Sequence, residues 1–273
     1  MSANYGLYVA KESGIHGLHP FTKLAYLCLC LVAGWVIPGV IAPYGAFLLG
    51  IVPVAVGARI LPEILRGSVK SVLPFAISLF LVQGFFWPQG TVLQQIGPLS
   101  LKEEGLLFAI RGTGRILVAV SSFLLFTYTT RPNELTLALS QVGVPSRINY
   151  VILSALQIIP HFQDKATTII DAQRSRGLET EGNLIVRARA LLPLIIPLLL
   201  SSIIDIEERA IALEVRAFGR PGPKTSLLVL RDTTWQRVLR ALLLLAALGV
   251  IVWRLYLALE MCIRDRGGAS WMG

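Results

Sequence analysis

Two short stretches carry the cations best placed for recognition chemistry: "DAQRSRGLE" (171–179) and "ALEVRAFGR" (212–220). Each brings a charged helical run to an arginine, Arg176 and Arg216, close to a helix terminator. A guanidinium offers a planar fork of donors that suits carboxylates and carbonyls, so such a residue fits an acidic groove on a protein partner. The end of a helix also favours a cation, because the helix dipole is negative there. Cations near helix ends are common, and one alone would mean nothing; two at matching ends of long helices suggest a docking role.

Upstream of Arg176, the residues Ile152, Ala155, Ile159, Phe162, Ala166, Ile169 and Ile170 recur at three and four. Gln163, Asp164, Lys165, Thr168, Asp171 and Arg174 occupy the other face. The pattern predicts an amphipathic helix through Pro160 that stops at Gly177. Upstream of Arg216, Leu199, Ile203, Ile206, Ala210, Leu213 and Ala217 form an apolar seam, expected to pack on another helix. Gly219 and Pro221 are the expected terminators of that helix.

The rest of the chain sets these helices in a membrane. Of 273 residues, 54% are hydrophobic and 15% charged, well short of the roughly 25% charged residues of a soluble domain. Residues 24–58 hold no charge, and "IPGVIAP" (37–43) breaks them into two short spans. A basic loop, 59–70, precedes a third span from Ser71 to Trp87. The loop "PQGTVLQQIGPLS" (88–100) lacks Lys and Arg, and a fourth span fills much of 102–130. A fifth runs from Ala241 to Leu259. Loop charges alternate, so the positive-inside rule places the N-terminus and the region 131–238 in the cytoplasm. The net charge of +9 fits a membrane protein with its cations inside. The class expected is all-α and polytopic. Residues 1–130 form a four-span region, 131–238 a cytoplasmic region of long amphipathic helices and 239–260 a last span. The tail 261–273 resembles a translated sequencing-adapter scar and reads as non-native.

Arg111 and Arg115 share one face of the fourth span, and pairing with protein near the outer boundary or snorkelling is expected of them, with contact to a membrane-embedded partner as the alternative. Other chemistries lack their residues. There is no G-x-x-x-x-G-K-[ST] for nucleotide phosphates, no H-E-x-x-H, no G-x-S-x-G and no pair of intramembrane acids. "RGTGR" (111–115) holds only a lone G-x-G. Cys28 and Cys30 lie two apart and His16, His19 and His161 are scattered, so no metal spacing exists and the thiols are expected to pack. Nucleic acid is excluded by the lack of a compact basic patch interleaved with aromatics.

At these residues the chain resembles the transmembrane T component of energy-coupling factor transporters, the CbiQ-like family. "LHPFTKL" (18–24) is similar to the family's Leu-Asp-Pro-Arg-Thr-Lys-Leu, with His19 and Phe21 as departures. "TTRPNELTLALSQVGVP" (129–145) is similar to its Thr-Thr-x-Pro to Leu-Gly-Val-Pro stretch. Ser175-Arg176-Gly177 and Val215-Arg216-Ala217 resemble its two Ala-Arg-Gly motifs. The resemblance implies a non-enzymatic coupling subunit of a prokaryotic cell membrane, with no cofactor of its own. Two ABC-type ATPases would bind ATP and Mg and receive the two arginines in their grooves. A small substrate-binding membrane subunit would capture a vitamin or a transition-metal ion, and Pro193 and Pro197 would shape the face near it. A conventional ABC permease with its own substrate path is the alternative.

Overall fold

The computed structural model describes residues 13–86, 91–96, 99–178, 183–218, 220, 230 and 232–268; for 86, 92–101, 146, 184–192 and 261–268 it describes the backbone alone. It divides into two compact units: residues up to Ala138 together with those from Leu230 onward, and Leu139–Val229.

The first unit opens with α1 (Pro20–Val36). Pro20 stands in its first turn, where a missing N–H costs nothing, and His19 caps it: ring Nδ1 accepts from the Phe21 N–H at 3.3 Å. The expected break at 37–43 is present. Beyond it, α2 (Ala42–Gly45), a π-helical segment (Ala46–Ile51) and α3 (Val52–Gly57) make one short continuous rod. The widened turn exposes carbonyls, and the Tyr26 hydroxyl donates to one of them, Gly50 O, at 2.6 Å.

The basic stretch 59–70 is helix rather than loop. Only Ala58–Ile60 turns the chain, with Arg59 at φ +59°, and α4 (Leu61–Phe86) starts at once. Pro62 and Glu63 occupy its first turn, which suits a helix start. Arg66 and Lys70 therefore ride on α4 itself. The stretch after it is not a plain turn either: β1 (Val92–Ile96) and β2 (Leu99–Lys102) pair antiparallel, with a bulge between Val92 and Gln94. Apart from this hairpin the described fold is helical.

Next come α5 (Glu103–Thr129), α6 (Pro132–Gln141) and, in the second unit, α7 (Ser146–Arg174) and α8 (Leu184–Val215); α9 (Thr234–Gly268) returns to the first unit. Three described helices are long and apolar enough to cross a membrane, within Leu61–Phe85, Glu103–Thr129 and Thr234–Glu260; Pro20–Val36 and Ala42–Gly57 are shorter and apolar. These are the five expected apolar segments of a multi-pass membrane protein. The last helix continues past Glu260 into the stretch read as a foreign tail, to Gly268.

The core of the first unit lies where α1, the π segment, α3, α4 and α5 meet. Ile51, Ala55, Ala58, Ile60, Ile64, Val118 and Leu125 are buried there. Cys30 packs beside Ile51 and Val118, as expected, whereas Cys28 points outward. The Ser68 and Ser121 hydroxyls bond at 2.8 Å and join α4 to α5. On α5, Arg115 lies over the Trp35 ring, 5.7 Å from its centroid, and donates to Trp35 O at 3.4 Å, so it pairs with protein as expected. Arg111 is exposed.

Candidate functional site

The two arginine-bearing ends close by the same backbone device. After α7, the Leu178 N–H donates to Gln173 O at 3.0 Å and the Gly177 N–H to Arg174 O at 3.0 Å, with Gly177 at φ +88°. After α8, the Phe218 N–H donates to Leu213 O at 3.0 Å and the Ala217 N–H to Glu214 O at 2.9 Å, with Ala217 at φ +52°. Both are Schellman caps. Ser175, Arg176 and Gly177 thus correspond position by position to Val215, Arg216 and Ala217. Each arginine is the capping residue, one step before the left-handed one.

Gly177 is the helix stop the sequence suggests. Ala217 is not: the left-handed turn falls two residues before the expected terminator Gly219, which, like Pro221, lies outside the described residues. A left-handed backbone costs an L-residue roughly 1–2 kcal/mol, so Ala217 holds this turn against its own preference. The cap alone is no signature of function, since α3 and α6 end the same way at Arg59 and Gly143. What sets the pair apart is the cation. Arg176 and Arg216 are exposed, and among the described residues neither guanidinium has a hydrogen-bond or ion-pair partner.

Contacts between α7 and α8 run in opposite chain order. The Tyr150 ring, near the start of α7, packs on Phe218 beyond the end of α8, with centroids 4.9 Å apart. Midway, Lys165 donates to Asp205 Oδ2, and His161 Nε2 lies 3.4 Å from the same oxygen. The helices are therefore antiparallel and the arginines sit at opposite ends, roughly 33 Å apart along the axis at 1.5 Å per residue. The Lys165 hydrogen bond holds the Asp205 carboxyl below its usual range; burial opposes it, and the charge of Lys165 and the neighbouring His161 add to the lowering.

The seam expected on α8 is not the face that packs. Leu199, Ile203 and Ile206 are more than half exposed, while Ser202 is buried and Asp205 faces α7. On α7, Phe162, Ala166, Ile169 and Ile170 are half-buried, but Ile152, Ala155 and Ile159 are exposed. Pro193 and Pro197 lie inside α8, one turn apart and half-buried.

One residue that the sequence reading did not single out joins two segments of the first unit. Lys23 is only 7% exposed, and its ammonium donates to His16 O at 2.9 Å and Thr129 O at 2.7 Å. It joins "LHPFTKL" to "TTRPNEL", the two N-terminal stretches of the resemblance, and satisfies a last-turn carbonyl of α5. His19, where the family pattern has Asp, supplies the same capping acceptor, and its N–H donates to Gln236 Oε1 of α9 at 3.0 Å. A lone cation at the mouth of an apolar run was the available clue.

The profile of the CbiQ family, described as cobalt transport protein, matches residues 11–227. The chain belongs to the CbiQ family. It is similar to the energy-coupling factor transporter transmembrane protein EcfT of Streptococcus thermophilus, 30% identical over 268 residues, which cover 92% of this chain and 97% of that one. The EcfT protein of Exiguobacterium sibiricum is 34% identical over 199 residues, 69% of this chain and 74% of its own. That of Bacillus subtilis is 28% identical over 260 residues, 89% and 95%. These relatives are named as transporter components, not enzymes. Among the described residues of this CbiQ-family chain, no His, Cys, Asp and Glu cluster of a kind to hold a metal ion occurs.

Proposed function

We propose that this chain is the coupling subunit of an energy-coupling factor transporter. Arg176 and Arg216 dock in grooves of two ABC-type ATPases, which bind ATP and Mg. The α7–α8 pair carries their motion to a small substrate-binding membrane subunit that captures a vitamin or a transition-metal ion. Ser175, Gly177, Val215 and Ala217 shape the two docking ends, and the prolines 193 and 197 shape the face toward the substrate subunit. The N-terminus and the region 131–238 lie in the cytoplasm of a prokaryotic cell.

The observation that carries this reading is the pair of equivalent caps, each with an exposed guanidinium that has no partner among the described residues, at opposite ends of one antiparallel pair. A family whose relatives are named as transporter membrane proteins supplies the context. Removing one charge from a desolvated pairing costs about 2–5 kcal/mol, enough to weaken docking by tens of fold or more. Arg176→Ala and Arg216→Ala should each be partial defects, since one arm still holds. The double variant should insert in the membrane yet lose most ATPase co-purification. Arg176→Lys should restore only part of it, because an ammonium lacks the planar fork. Co-purification of the double variant at the wild-type level would reduce these arginines to ordinary helix-end cations.

A further inference from the structure

Lys165 stands eleven residues before Arg176, and Asp205 eleven before Arg216. Eleven residues are about three helical turns, or roughly 16 Å. The ion pair between α7 and α8 therefore lies equally far from both arginines, and in each helix it lies on nearly the same face as the arginine. Around it Ser202 is buried one turn from Asp205, and Phe162 and Ala166 are half-buried beside Lys165, while Leu199, Ile203 and Ile206 of the α8 seam stay exposed. Apolar surfaces of two helices can slide on each other. A directional hydrogen bond between opposite charges fixes one register, the best-attested use of a partly buried ionic contact.

We propose that the Lys165–Asp205 pair, flanked by His161, is the pivot of α7 and α8: a positioning contact that holds two equal arms in register, so that displacement of one arginine-bearing end reaches the other helix. This rests on the coupling reading but is separable from it. The pair is not needed for docking, because neither partner is near a capped end. Its worth lies in transmission, and as a source of stability a partly exposed pair contributes little.

Hydrogen exchange on the full chain in nanodiscs tests it. In the purified chain, Asp205→Asn and Lys165→Met should each raise exchange of 158–169 and 202–209 about threefold. The exchanged pair, Lys165→Asp with Asp205→Lys, should return it to within about 1.5-fold of wild type. With the ATPases bound, Arg216→Ala leaves α7 as the docked arm. Addition of ATP should still change exchange at 211–218, and Asp205→Asn in that background should abolish the response. Unchanged exchange in both single variants, or a charge exchange as defective as either, overturns the pivot. A response to ATP that survives Asp205→Asn overturns its role in transmission. If the wild-type chain retains no ATPase, the coupling reading falls, and the purified-chain comparison still decides whether the pivot exists.

Discussion

In the unit of apolar helices, small residues let backbones and bulky side chains meet closely. A methyl on Gly34 would lie 2.8 Å from Val118 Cγ1, and one on Gly114 would lie 2.9 Å from the Tyr44 ring. Hydroxyl pairs and a buried ammonium close the remaining gaps. In the arginine-bearing unit the balance reverses. Val215 is 82% exposed, much of the apolar seam of α8 faces outward, and an ion pair and a ring contact are among the described contacts that join the helices. The first unit has a buried core of its own, around Ile51, Ile60, Ile64 and Val118; in the second, two helices meet through an ion pair and half-buried side chains.

The contrast is easiest to break where packing is tightest. Gly34→Val should force Val118 aside and cost about 3 kcal/mol or more, visible as loss of a folded peak in detergent. The same change at Gly249, which faces open space, should leave the peak intact. Equal behaviour of the two variants would mean that close approach does not hold the first unit. Next in size is Lys23→Met. It strands two carbonyls and removes a charged donor, at about 2 kcal/mol. A thermal midpoint lowered by several degrees is expected, with ATPase co-purification of the surviving protein unchanged.

Smaller effects sharpen the comparison in the second unit. Gly177→Ala puts a Cβ on a left-handed residue and should destabilise the α7 cap by about 1 kcal/mol, while Ala217→Gly should relieve the α8 cap by a similar amount. Amide exchange at 171–178 and 211–218 reads both, and shifts of the same sign would refute the equivalence of the caps. The smallest effect is that of pH. Asp205 is held below its ordinary value, so its contribution is complete above that value, 3.8, and is lost only as pH falls through the lowered one. From pH 8 to 5 the Asp205 carboxylate should stay ionised. On further acidification the midpoints of wild type and Asp205→Asn should converge.

Much of this architecture was legible in residue order. Apolar runs of limited length with few charges give the five apolar segments, because the bilayer admits little else. Gly177 announced its turn, since glycine adopts the left-handed region freely. Where tertiary contacts decide, the pattern misled. Arg66 and Lys70 read as loop because they are charged, yet a helix can carry cations beyond the apolar layer. The α8 seam reads as a packing face, but periodicity identifies an apolar stripe without saying what meets it. Ala217 gave no hint of its conformation, since its own preference opposes it. The 92–102 hairpin is too short for alternation to stand out. The arginines were found by type and spacing; their shared cap geometry needed the backbone.

The first two apolar rods are brief. Pro20–Val36 rises about 25 Å and Ala42–Gly57 about 24 Å, against a hydrocarbon thickness of about 30 Å. α4, α5 and α9 are long enough to cross with some tilt. The protein therefore suits a thinner film on the flank of its first two helices than on the flank of the others. Lipid chains there must shorten or splay, at fractions of a kcal/mol per ångström of mismatch. Acyl-chain length thereby becomes a variable of the machine: bilayers of shorter chains relieve that flank, and thick, sterol-like ones load it.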